Sequence, residues 1–526
     1  MCSRGGWGRM FVFSFVATWG LSAVLSAQTK TAPGEVDQSG TVASEAKQAV
    51  GDSESFKDSL VRKLKEALDA ADDIGREDRD TANQVLRDAD AALTRIREEN
   101  RRALERANRQ VRILDCHCPN IVLFLLNGVG YGELGSYGQA LIKTPIADLL
   151  ACEGIRCTQF YAGSPESIAS RGTLYSGKSA ARGELAGEDW ITVRERDVTL
   201  AETLYQGGYE TGLFGVWGGG PVERAGHPNR QGFKTFFGYL DDQSALDYYP
   251  PTLWRNREQV ALSGNQGDTK TQYAPDLIVD AAQRFIDAEC KRPFLLTVAL
   301  PMTTTGGGQE VPDLNPYADQ DWSAAEKTRA AMITRVDRYL GQILQRLQER
   351  RVLHRTLVII TSDGGPPDAV AGAGDRFRPT GPLRGRHGEL YEGGIRVPLI
   401  VYWPGATWTP GDNDLAFGMW DLFPTLCDLT STLRRPKTLD GVSVARRLLE
   451  ARASNAPPGS PLFWEQHRGG AGQAARVDDW KGVRSGAGAP WELYDLKADP
   501  AESADVAAQH PDAVQRIEEL VKLLRP

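Results

Sequence analysis

The run Asn120-Ile121-Val122-Leu123-Phe124-Leu125-Leu126 decides the fold class of this chain. Its apolar residues follow one another without alternation, which is typical of a strand that is buried on both faces. A second run of this kind, Thr356-Leu357-Val358-Ile359-Ile360-Thr361, follows a segment of helical periodicity at about 324–350. Strands separated by helices predict an α/β fold, with a mainly parallel or mixed central sheet flanked by helices.

Ligands of such sheets bind where the parallel strands end, so we expect a functional site in the loops after Leu126 and Thr361. The first loop contains a glycine motif at 130–135 that imitates a dinucleotide-binding loop. Breaker residues at 136–145 interrupt the long helix that must follow such a loop. A P-loop-like match at 172–179 is not preceded by a buried strand. Neither match therefore predicts a nucleotide site.

The composition is that of an exported globular protein without a general affinity for polyanions. The 526 residues include 41% hydrophobic and 25% charged residues and carry a formal net charge of -8. This balance disfavours nucleic acid as a partner, and an anionic ligand requires a local basic pocket. Six cysteines follow Cys2. Their even number permits disulfides, and the clustered Cys116, Cys118, Cys152 and Cys157 leave a zinc site open as the alternative.

Residues 1–27 are predicted to be a signal peptide. Arg4 and Arg9 precede an apolar run at 10–25, and small residues follow at 26 and 27. This order of charge, apolar run and small residues is typical of a secretory signal. We therefore expect a secreted or periplasmic protein with no membrane span after the signal. An uncleaved signal that anchors the chain is the less favoured alternative, because the run is short for a bilayer span.

Four further segments follow the signal. Residues 28–54 are small and polar and predict a flexible linker. Residues 55–114 lack Gly and Pro almost entirely and contain a short heptad pattern, which predicts a helical, coiled-coil-like extension. This extension is expected either to act as a spacer or an oligomerising hairpin or to lie as a solvated helix on the main domain. Residues 118–405 are assigned to the main domain and 406–526 to a smaller C-terminal α+β subdomain.

Several segments together resemble the sulfatase family, in particular its arylsulfatase-like members within the alkaline phosphatase superfamily. They cover roughly 400 residues in the order that the family has, which is more specific than any single motif. The segments are the opening strand and metal loop (119–138), the nucleophile segment (160–177), the Gly-Tyr-x-Thr region (208–220), a Pro-His-like strand (293–302), the Ser-Asp-Asn-Gly-like turn (361–365), the block that ends in Arg-Val-Pro (383–398) and a C-terminal signature (491–495).

The resemblance implies a sulfuric ester hydrolase chemistry and a set of site residues. In the family a formylglycine made from Cys or Ser attacks sulfur, while a calcium ion held by carboxylates and an amide polarises the sulfate. The positions that match this motif imply Ser167, Arg171 and His387 as catalytic residues. They imply Asp363 and Asn127 as the remaining metal ligands. A sulfated or other anionic small molecule or glycan is the implied partner.

Many positions that the family uses for chemistry carry other residues in this chain. The paired metal aspartates fall on Asn127 and Gly128, and the Asp-Asn pair falls on Asp363 and Gly364. The positions at which the family has its sulfate-binding lysines and histidines carry other residues here, namely Val216, Gly218, Met302 and His387. A hard dication gains affinity from the number and charge of its oxygen ligands, so we expect calcium to bind weakly or not at all.

These substitutions predict a pseudo-sulfatase, with impaired or absent hydrolysis and a fold that is retained for binding or assembly. The alternative is an active hydrolase that uses Ser167, as formylglycine or directly, in a rearranged site. Purely structural roles also remain open for individual residues. Asp363 is expected to cap a turn, Arg171 to pair with a carboxylate, and His387 to be a surface residue or, with Arg384 and Arg386, part of an anion site.

Overall fold

The computed structural model describes residues 118–179, 193–194, 197–219, 226–301, 310–367, 376–406, 410–432, 435–449, 461–466 and 471–524. The predicted signal peptide, linker and helical extension lie outside the described residues. Within them, no helix has the length and apolar character that crossing a membrane requires.

A mixed sheet of eleven strands lies at the centre of the part of the chain that the structure describes. Its strands are β1 (Asn120–Leu126), β2 (Ile155–Tyr161), β3 (Glu210–Val216), β4 (Thr235–Tyr239), β5 (Thr252–Arg255), β6 (Glu258–Ala261), β7 (Phe294–Leu300), β8 (Thr356–Ser362), β9 (Arg396–Tyr402), β10 (Gly411–Asn413) and β11 (Phe417–Gly418). The order is β10-β2-β9-β8-β1-β7-β3-β4-β5-β6, and β11 also pairs with β2.

The middle of this sheet is parallel, as the sequence predicts. β1 pairs in parallel with β7 and with β8, and β3 pairs in parallel with β7. β9 runs antiparallel to β8, which makes the sheet mixed. In register, Leu126 lies opposite both Leu300 and Ser362. The carboxyl ends of β1, β7 and β8 therefore meet at one edge, with the end of β3 beside them.

Nine α-helices lie in the described residues, and all but the last, which packs on a second sheet, belong to the domain of the central sheet. They are α1 (Pro145–Glu153), α2 (Ser167–Ser176), α3 (Leu200–Gln206), α4 (Ala274–Glu289), α5 (Ala324–Glu349), α6 (Glu392–Ile395), α7 (Leu422–Leu429), α8 (Ala445–Leu449) and α9 (Pro511–Leu524). α5 is the helix that the periodicity predicts, and it begins with a capping box between Ser323 and Glu326.

The alternating side chains of β1 enter two different cores, which explains its unbroken apolar sequence. Val122 and Phe124 belong to the core formed with α1, α4 and α5. Ile121 and Leu123 belong to the core formed with α2, α3 and α7. Successive side chains of a strand point to opposite faces, so a strand between two helical layers must be apolar throughout. The result is a sandwich of three layers.

A second, antiparallel sheet forms the smaller C-terminal subdomain. Its strands, in spatial order, are β12 (Leu462–Glu465), β13 (Gln473–Val477), β14 (Trp480–Arg484) and β15 (Glu492–Asp495). α9 packs on one face of it, and the other face packs on residues of the main domain. β10, β11 and α7 belong to the large sheet and its core. The predicted boundary at residue 406 therefore precedes the first strand of the second sheet.

A buried ionic cluster joins the two sheets. The Lys481 ammonium on β14 lies 2.9 Å from a Glu392 carboxylate oxygen and 2.8 Å from one of Glu502. All three side chains are fully buried. Burial alone raises the pKa of Glu392. The positive charges of Lys481, Arg396 and the nearby Arg476 outweigh this effect and lower the pKa to about 2. Glu392 belongs to the Arg-Val-Pro block, so this part of the family motif serves the contact between sheets.

Candidate active site

The loops after β1 and β8 meet at a buried carboxylate. Asp363 directly follows β8, and its backbone N–H donates to the Leu126 carbonyl at 3.0 Å. The Asn127 side-chain amide donates to Asp363 Oδ2 at 2.8 Å, and the Gly128 N–H donates to Oδ1 at 2.9 Å. Gly128 has a φ of 63°, a conformation that favours glycine. The two loops are thus held together by one carboxylate that no solvent reaches.

Arg171 completes the surroundings of this carboxylate. It lies on the first turns of α2, is 1% exposed, and brings Nη1 to 2.6 Å from Asp363 Oδ2. Its Nη2 lies 2.6 Å and 2.5 Å from the two carboxylate oxygens of Asp242. Burial alone lowers the pKa of Arg171, but Asp242 and Asp363 raise it above its ordinary value. The guanidinium therefore stays charged and bridges two carboxylates.

Opposing effects act on the charge of Asp363 in this cluster. Burial raises its pKa and the nearby Asp242 adds to this shift, while the Arg171 guanidinium and the Gly128 N–H lower the pKa without cancelling the rise. Both of its oxygens accept hydrogen bonds from donors. A carboxylate that is surrounded by donors at both oxygens favours the ionised form. One guanidinium thus faces two carboxyl groups, so the positive charge of Arg171 is shared between Asp242 and Asp363.

Two substituted positions at the end of β3 fit this arrangement. Gly218 has a φ of 51°, and a Cβ placed on it would lie 2.2 Å from Arg171 Nη2. The guanidinium therefore occupies the space that the Cβ of any other residue at 218 would need. Val216 is 2% exposed and packs in the hydrophobic core with Phe124 and Phe214. A lysine at 216 would have to enter that core.

Ser167 and His387 approach a gap beside Gly364. Ser167 is the first residue of α2 and is 9% exposed. Its buried Oγ has no hydrogen-bond partner among the described residues. The point where a Cβ on Gly364 would stand lies 3.5 Å from His387 Nδ1 and 3.9 Å from Ser167 Oγ. The missing side chain at 364 thus leaves a space that faces the hydroxyl and the imidazole.

Backbone contacts hold the histidine loop against the helix that carries Ser167. The His387 N–H donates to the Pro366 carbonyl, and the Gly388 N–H donates to the Pro165 carbonyl, each at 3.0 Å. The loop after β8, the loop before α2 and the 383–390 segment therefore converge. All five residues that the sequence suggests, Asn127, Ser167, Arg171, Asp363 and His387, lie in two adjoining clusters around positions 363 and 364.

Arg384 faces away from this site. Its guanidinium lies 3.8 Å from the centroid of the Tyr391 ring. It donates to the Tyr494 hydroxyl at 3.0 Å and to the Glu502 carbonyl at 3.1 Å. These contacts are with the C-terminal subdomain. Arg384 therefore does not contribute to the anion site that the sequence leaves open as one alternative for His387 and its two flanking arginines.

Sequence reasoning missed a second buried ion pair, which holds the loop after β1. Arg329 on α5 contacts both carboxylate oxygens of Glu133, at 2.9 Å and 2.7 Å, and donates to the Gly128 carbonyl at 2.8 Å. Glu133 also accepts from the Gly130 N–H at 2.7 Å. Glu133 lies inside the glycine motif at 130–135, where two short 3-10 helices stand in place of a long helix. That motif therefore shapes this loop.

Asp242 was also missed. It lies in the loop after β4, at the edge where β3 ends, and 71 residues separate it from Arg171. Its side chain is 28% exposed, so it forms the solvent-facing side of the ion pair. The signal that could have found it is its place shortly after a strand of the parallel part of the sheet, because such positions share the carboxyl edge.

The fold and the sequence comparisons agree on the class of protein. Residues 119–432 match the sulfatase family profile, and residues 387–525 match the profile of the N-sulphoglucosamine sulphohydrolase C-terminal region. The first match spans more than half of the chain, and it contains the central sheet and the site residues described above. The chain belongs to the sulfatase family.

Individual relatives align over most of their length. N-acetylgalactosamine-6-O-sulfatase of Bacteroides thetaiotaomicron is 27% identical over 488 residues, covering 77% of this chain and 93% of that protein. Human arylsulfatase A is 29% identical over 464 residues, covering 76% and 87%. Among solved structures, Ps i-CgsB in complex with k-i-k-neocarrahexaose superposes with a TM-score of 0.67 at 25% identity, covering 77% of this chain and 93% of that one.

The residues at the metal position of the family do not fit a calcium ion. Gly128 and Gly364 offer no side-chain ligand. Both oxygens of Asp363 already accept hydrogen bonds, one of them from a guanidinium. Within the described residues, no group of three or more His, Cys, Asp or Glu side chains is arranged to hold a metal. Calcium needs several oxygen ligands with negative charge, and here the two nearby carboxylates, Asp242 and Asp363, are both engaged by Arg171, which leaves one amide oxygen.

Proposed function

We propose that this chain is a sulfatase-family protein that does not perform metal-assisted hydrolysis of sulfate esters and that retains the fold for binding or assembly. One observation carries the proposal: the Arg171 guanidinium is paired with Asp363, the one family metal carboxylate that the motif match leaves in place. With the guanidinium on Oδ2 and the Gly128 N–H on Oδ1, the charge of this carboxylate is already compensated, and positions 128 and 364 supply no further side-chain ligand for a dication.

The chemistry of the family explains why this matters. Attack on sulfur needs an activated nucleophile, a cation that draws charge from the sulfate, and an acid for the leaving alcohol. Removing a single electrostatic stabiliser typically costs about 3 kcal/mol of barrier height. Here the guanidinium is shared between two carboxylates, and the lysine and histidine positions at the end of β3 carry Val216 and Gly218. The cluster therefore supplies little net positive charge for a transition state.

The first test is a hydrolysis assay on the full chain, purified after export. We expect no turnover of an aryl sulfate above the buffer rate, with or without calcium. A matched pair of variants, Ser167→Ala and Ser176→Ala, lies at the two ends of α2, and both are expected to behave like the parent. Calcium-dependent turnover that Ser167→Ala abolishes and Ser176→Ala preserves would refute the proposal.

One observation favours the alternative, an active hydrolase that uses Ser167. The Ser167 hydroxyl is buried, has no partner among the described residues, and faces the gap beside His387. Mass spectrometry of the peptide that carries Ser167 separates the two functions. An unchanged mass supports the proposal, and loss of two hydrogens shows conversion to formylglycine and supports the enzyme.

The ligand that we propose is a sulfated or otherwise anionic glycan. The support is the family itself and the similarity to Ps i-CgsB, whose structure was solved with k-i-k-neocarrahexaose. In this chain an anionic group would meet the gap at Gly364, with His387 on one side and the N-terminus of α2 on the other. Helix N-termini present N–H groups and a partial positive charge, which favour anions.

Calorimetry with matched sulfated and desulfated oligosaccharides tests this assignment. We expect binding of the sulfated form alone, and weaker binding by His387→Ala. The matched control is His354→Ala, which changes a histidine at the opposite end of β8. Equal affinity for the two forms would show that the ester groups are not recognised.

Export and assembly complete the proposal. Cleavage after residue 27 places the chain outside the cytoplasm, and residues 55–114 act as an oligomerising or spacing element. N-terminal sequencing of the exported protein tests the first statement. Deletion of 55–114 followed by light scattering tests the second, and an unchanged molar mass per particle, apart from the deleted residues, would exclude oligomerisation through this segment.

A further inference from the structure

The pairing of Arg171 with two carboxylates has a consequence beyond the loss of a reaction. Asp363 is fully buried, and an ionised carboxylate cannot be buried without compensation by donors or opposite charge. The backbone of Gly128 and the amide of Asn127 supply two neutral donors. The only full positive charge within hydrogen-bond distance in the described residues is that of Arg171.

The guanidinium also contacts a second carboxylate from another part of the chain. Both oxygens of Asp242 lie within 2.6 Å of Nη2, so Arg171 connects the loop after β4 with the loop after β8. A cation that links carboxylates from separate loops is what a bound metal ion usually provides. Arginine is suited to this role because it keeps its charge when buried and presents several donors in a fixed plane.

An independent observation shows that the backbone is adapted to this position of the guanidinium. Gly218 has a left-handed φ of 51°, and its missing Cβ leaves room for Nη2, Cζ and Nε of Arg171. The preceding Trp217 is fully buried and stacks on Tyr175, with ring centroids 5.0 Å apart. This stacking fixes the end of β3 beside α2. The arginine therefore occupies a prepared space and not an accidental one.

We infer that the Arg171 guanidinium is the resident cation of this site and replaces a divalent metal ion in holding its loops together. Removing that side chain leaves a latent metal site. The oxygens that then remain are the carboxylates of Asp242 and Asp363 and the Asn127 Oδ1, which is buried and has no partner among the described residues. Two carboxylates and an amide oxygen are ligands that calcium accepts. The inference rests on the proposed function, because a site that does not perform metal-assisted hydrolysis needs no metal in the parent chain.

The experiment measures thermal unfolding of the full chain in EDTA and in a series of calcium concentrations. The parent is expected to have the same Tm throughout. Arg171→Ala is expected to unfold several degrees lower in EDTA, because two carboxylates lose their partner. Calcium should then raise the Tm of Arg171→Ala along a saturating curve, with a Kd in about the millimolar range of weak extracellular sites.

Two variants serve as controls. Arg329→Ala removes another buried arginine, which pairs with Glu133 in the loop after β1. It is expected to lose stability without any calcium response. Arg171→Ala combined with Asp242→Asn removes a ligand of the latent site, and its calcium response should be lost or shifted to at least tenfold higher concentration.

The outcomes are decisive in either direction. A parent Tm that falls in EDTA and recovers with calcium overturns the inference, whatever the hydrolysis assay shows. A folded Arg171→Ala variant with no calcium response also overturns it. If that variant does not fold, Arg171→Lys retains a charge that cannot bridge both carboxylates in the same way. It should unfold below the parent and remain insensitive to calcium, and a calcium-dependent Tm in this variant would contradict a resident cation. Absence of hydrolysis together with a metal-dependent parent would leave the proposed function standing and this inference refuted.

Discussion

At the scale of the residue, Gly218 and Arg171 show how one missing side chain permits a buried ion pair. A Cβ at 218 would lie 2.2 Å from Nη2, which is closer than any stable contact between such atoms. The guanidinium would have to move, and its hydrogen bonds to Asp242 and Asp363 would lengthen. The glycine is therefore part of the site although it has no chemistry of its own.

We expect Gly218→Ala to lower the free energy of unfolding by about 2 to 4 kcal/mol. Roughly 1 kcal/mol comes from the left-handed backbone, and the remainder from the displaced guanidinium. Urea unfolding measures the change. Gly267→Ala is the matched control, because Gly267 has a φ of 60° and open space around its Cβ. Equal losses in the two variants would show that the contact with Arg171 carries no energy.

At the scale of the element, the start of α1 depends on a buried aspartate from α5. The Asp337 carboxylate accepts from the Ile146 N–H at 3.0 Å and from the Ala147 N–H at 2.8 Å. These are N–H groups of the first turn, which have no partner inside the helix. Burial raises the pKa of Asp337 to about 7, because the desolvation outweighs both hydrogen bonds. The helix is thus capped from a distance by a group that titrates near neutral pH.

This capping makes stability depend on pH. The folded chain keeps a proton on Asp337 up to about pH 7, whereas an unfolded aspartate releases it near pH 4, so stability falls as the pH rises between these values. The slope is about 1 kcal/mol per pH unit for one such group. In Asp337→Asn this contribution is absent, so its stability relative to the parent should increase from pH 4 to pH 7 in urea unfolding.

A carboxylate with the opposite shift is the control. The Arg156 side chain lowers the pKa of Asp412, so Asp412 favours folding at a pH above its unfolded pKa and loses that contribution in acid. Asp412→Asn should therefore not reproduce the rise that Asp337→Asn gives. A flat profile for Asp337→Asn would mean that the two hydrogen bonds keep the aspartate ionised in the folded chain.

At the scale of the whole molecule, the buried Lys481 connects the two sheets. It lies between the Glu392 and Glu502 carboxylates, and Arg396 adds a second positive charge 3.3 Å from Glu392. The β12 residue Trp464 adds a hydrogen bond from Nε1 to the Ala162 carbonyl at 2.9 Å. Because polar and apolar contacts cross this boundary, we expect the two sheets to unfold together.

Lys481→Met tests this connection. Methionine fills a similar volume without charge, so Glu502 loses its ion pair with Lys481 and Glu392 keeps the longer contact with Arg396, and we expect a loss of about 3 to 5 kcal/mol. Urea unfolding followed by tryptophan fluorescence and by far-UV circular dichroism should also separate into two transitions. Lys497→Met, at an exposed position, is the control and should change stability by less than about 0.5 kcal/mol. A single unchanged transition in Lys481→Met would exclude the lysine as the connection.

The sequence predicts the central strands and the position of the site because both depend on local patterns. β1 and β8 are unbroken apolar runs, and the matched motifs directly follow strands or precede a helix. Pairs that are distant in the sequence leave no such pattern. Arg171 and Asp242 are 71 residues apart, and Glu133 and Arg329 are 196 apart, so only the folded chain joins them. For a similar reason the sequence groups Arg384 with His387, whereas in the folded chain Arg384 binds the Tyr494 hydroxyl and the Glu502 carbonyl of the C-terminal subdomain.

Because the Arg171 guanidinium is covalently attached to the polypeptide, it affects how the folded chain matures. A bound ion must be captured from the surroundings, and its occupancy follows the ion concentration outside the protein. A guanidinium that is covalently part of α2 arrives with the chain and cannot be diluted or chelated away. With Arg171 as the resident cation that we propose, maturation of this protein needs no loading step, and we expect its loops to close equally well in media rich or poor in calcium.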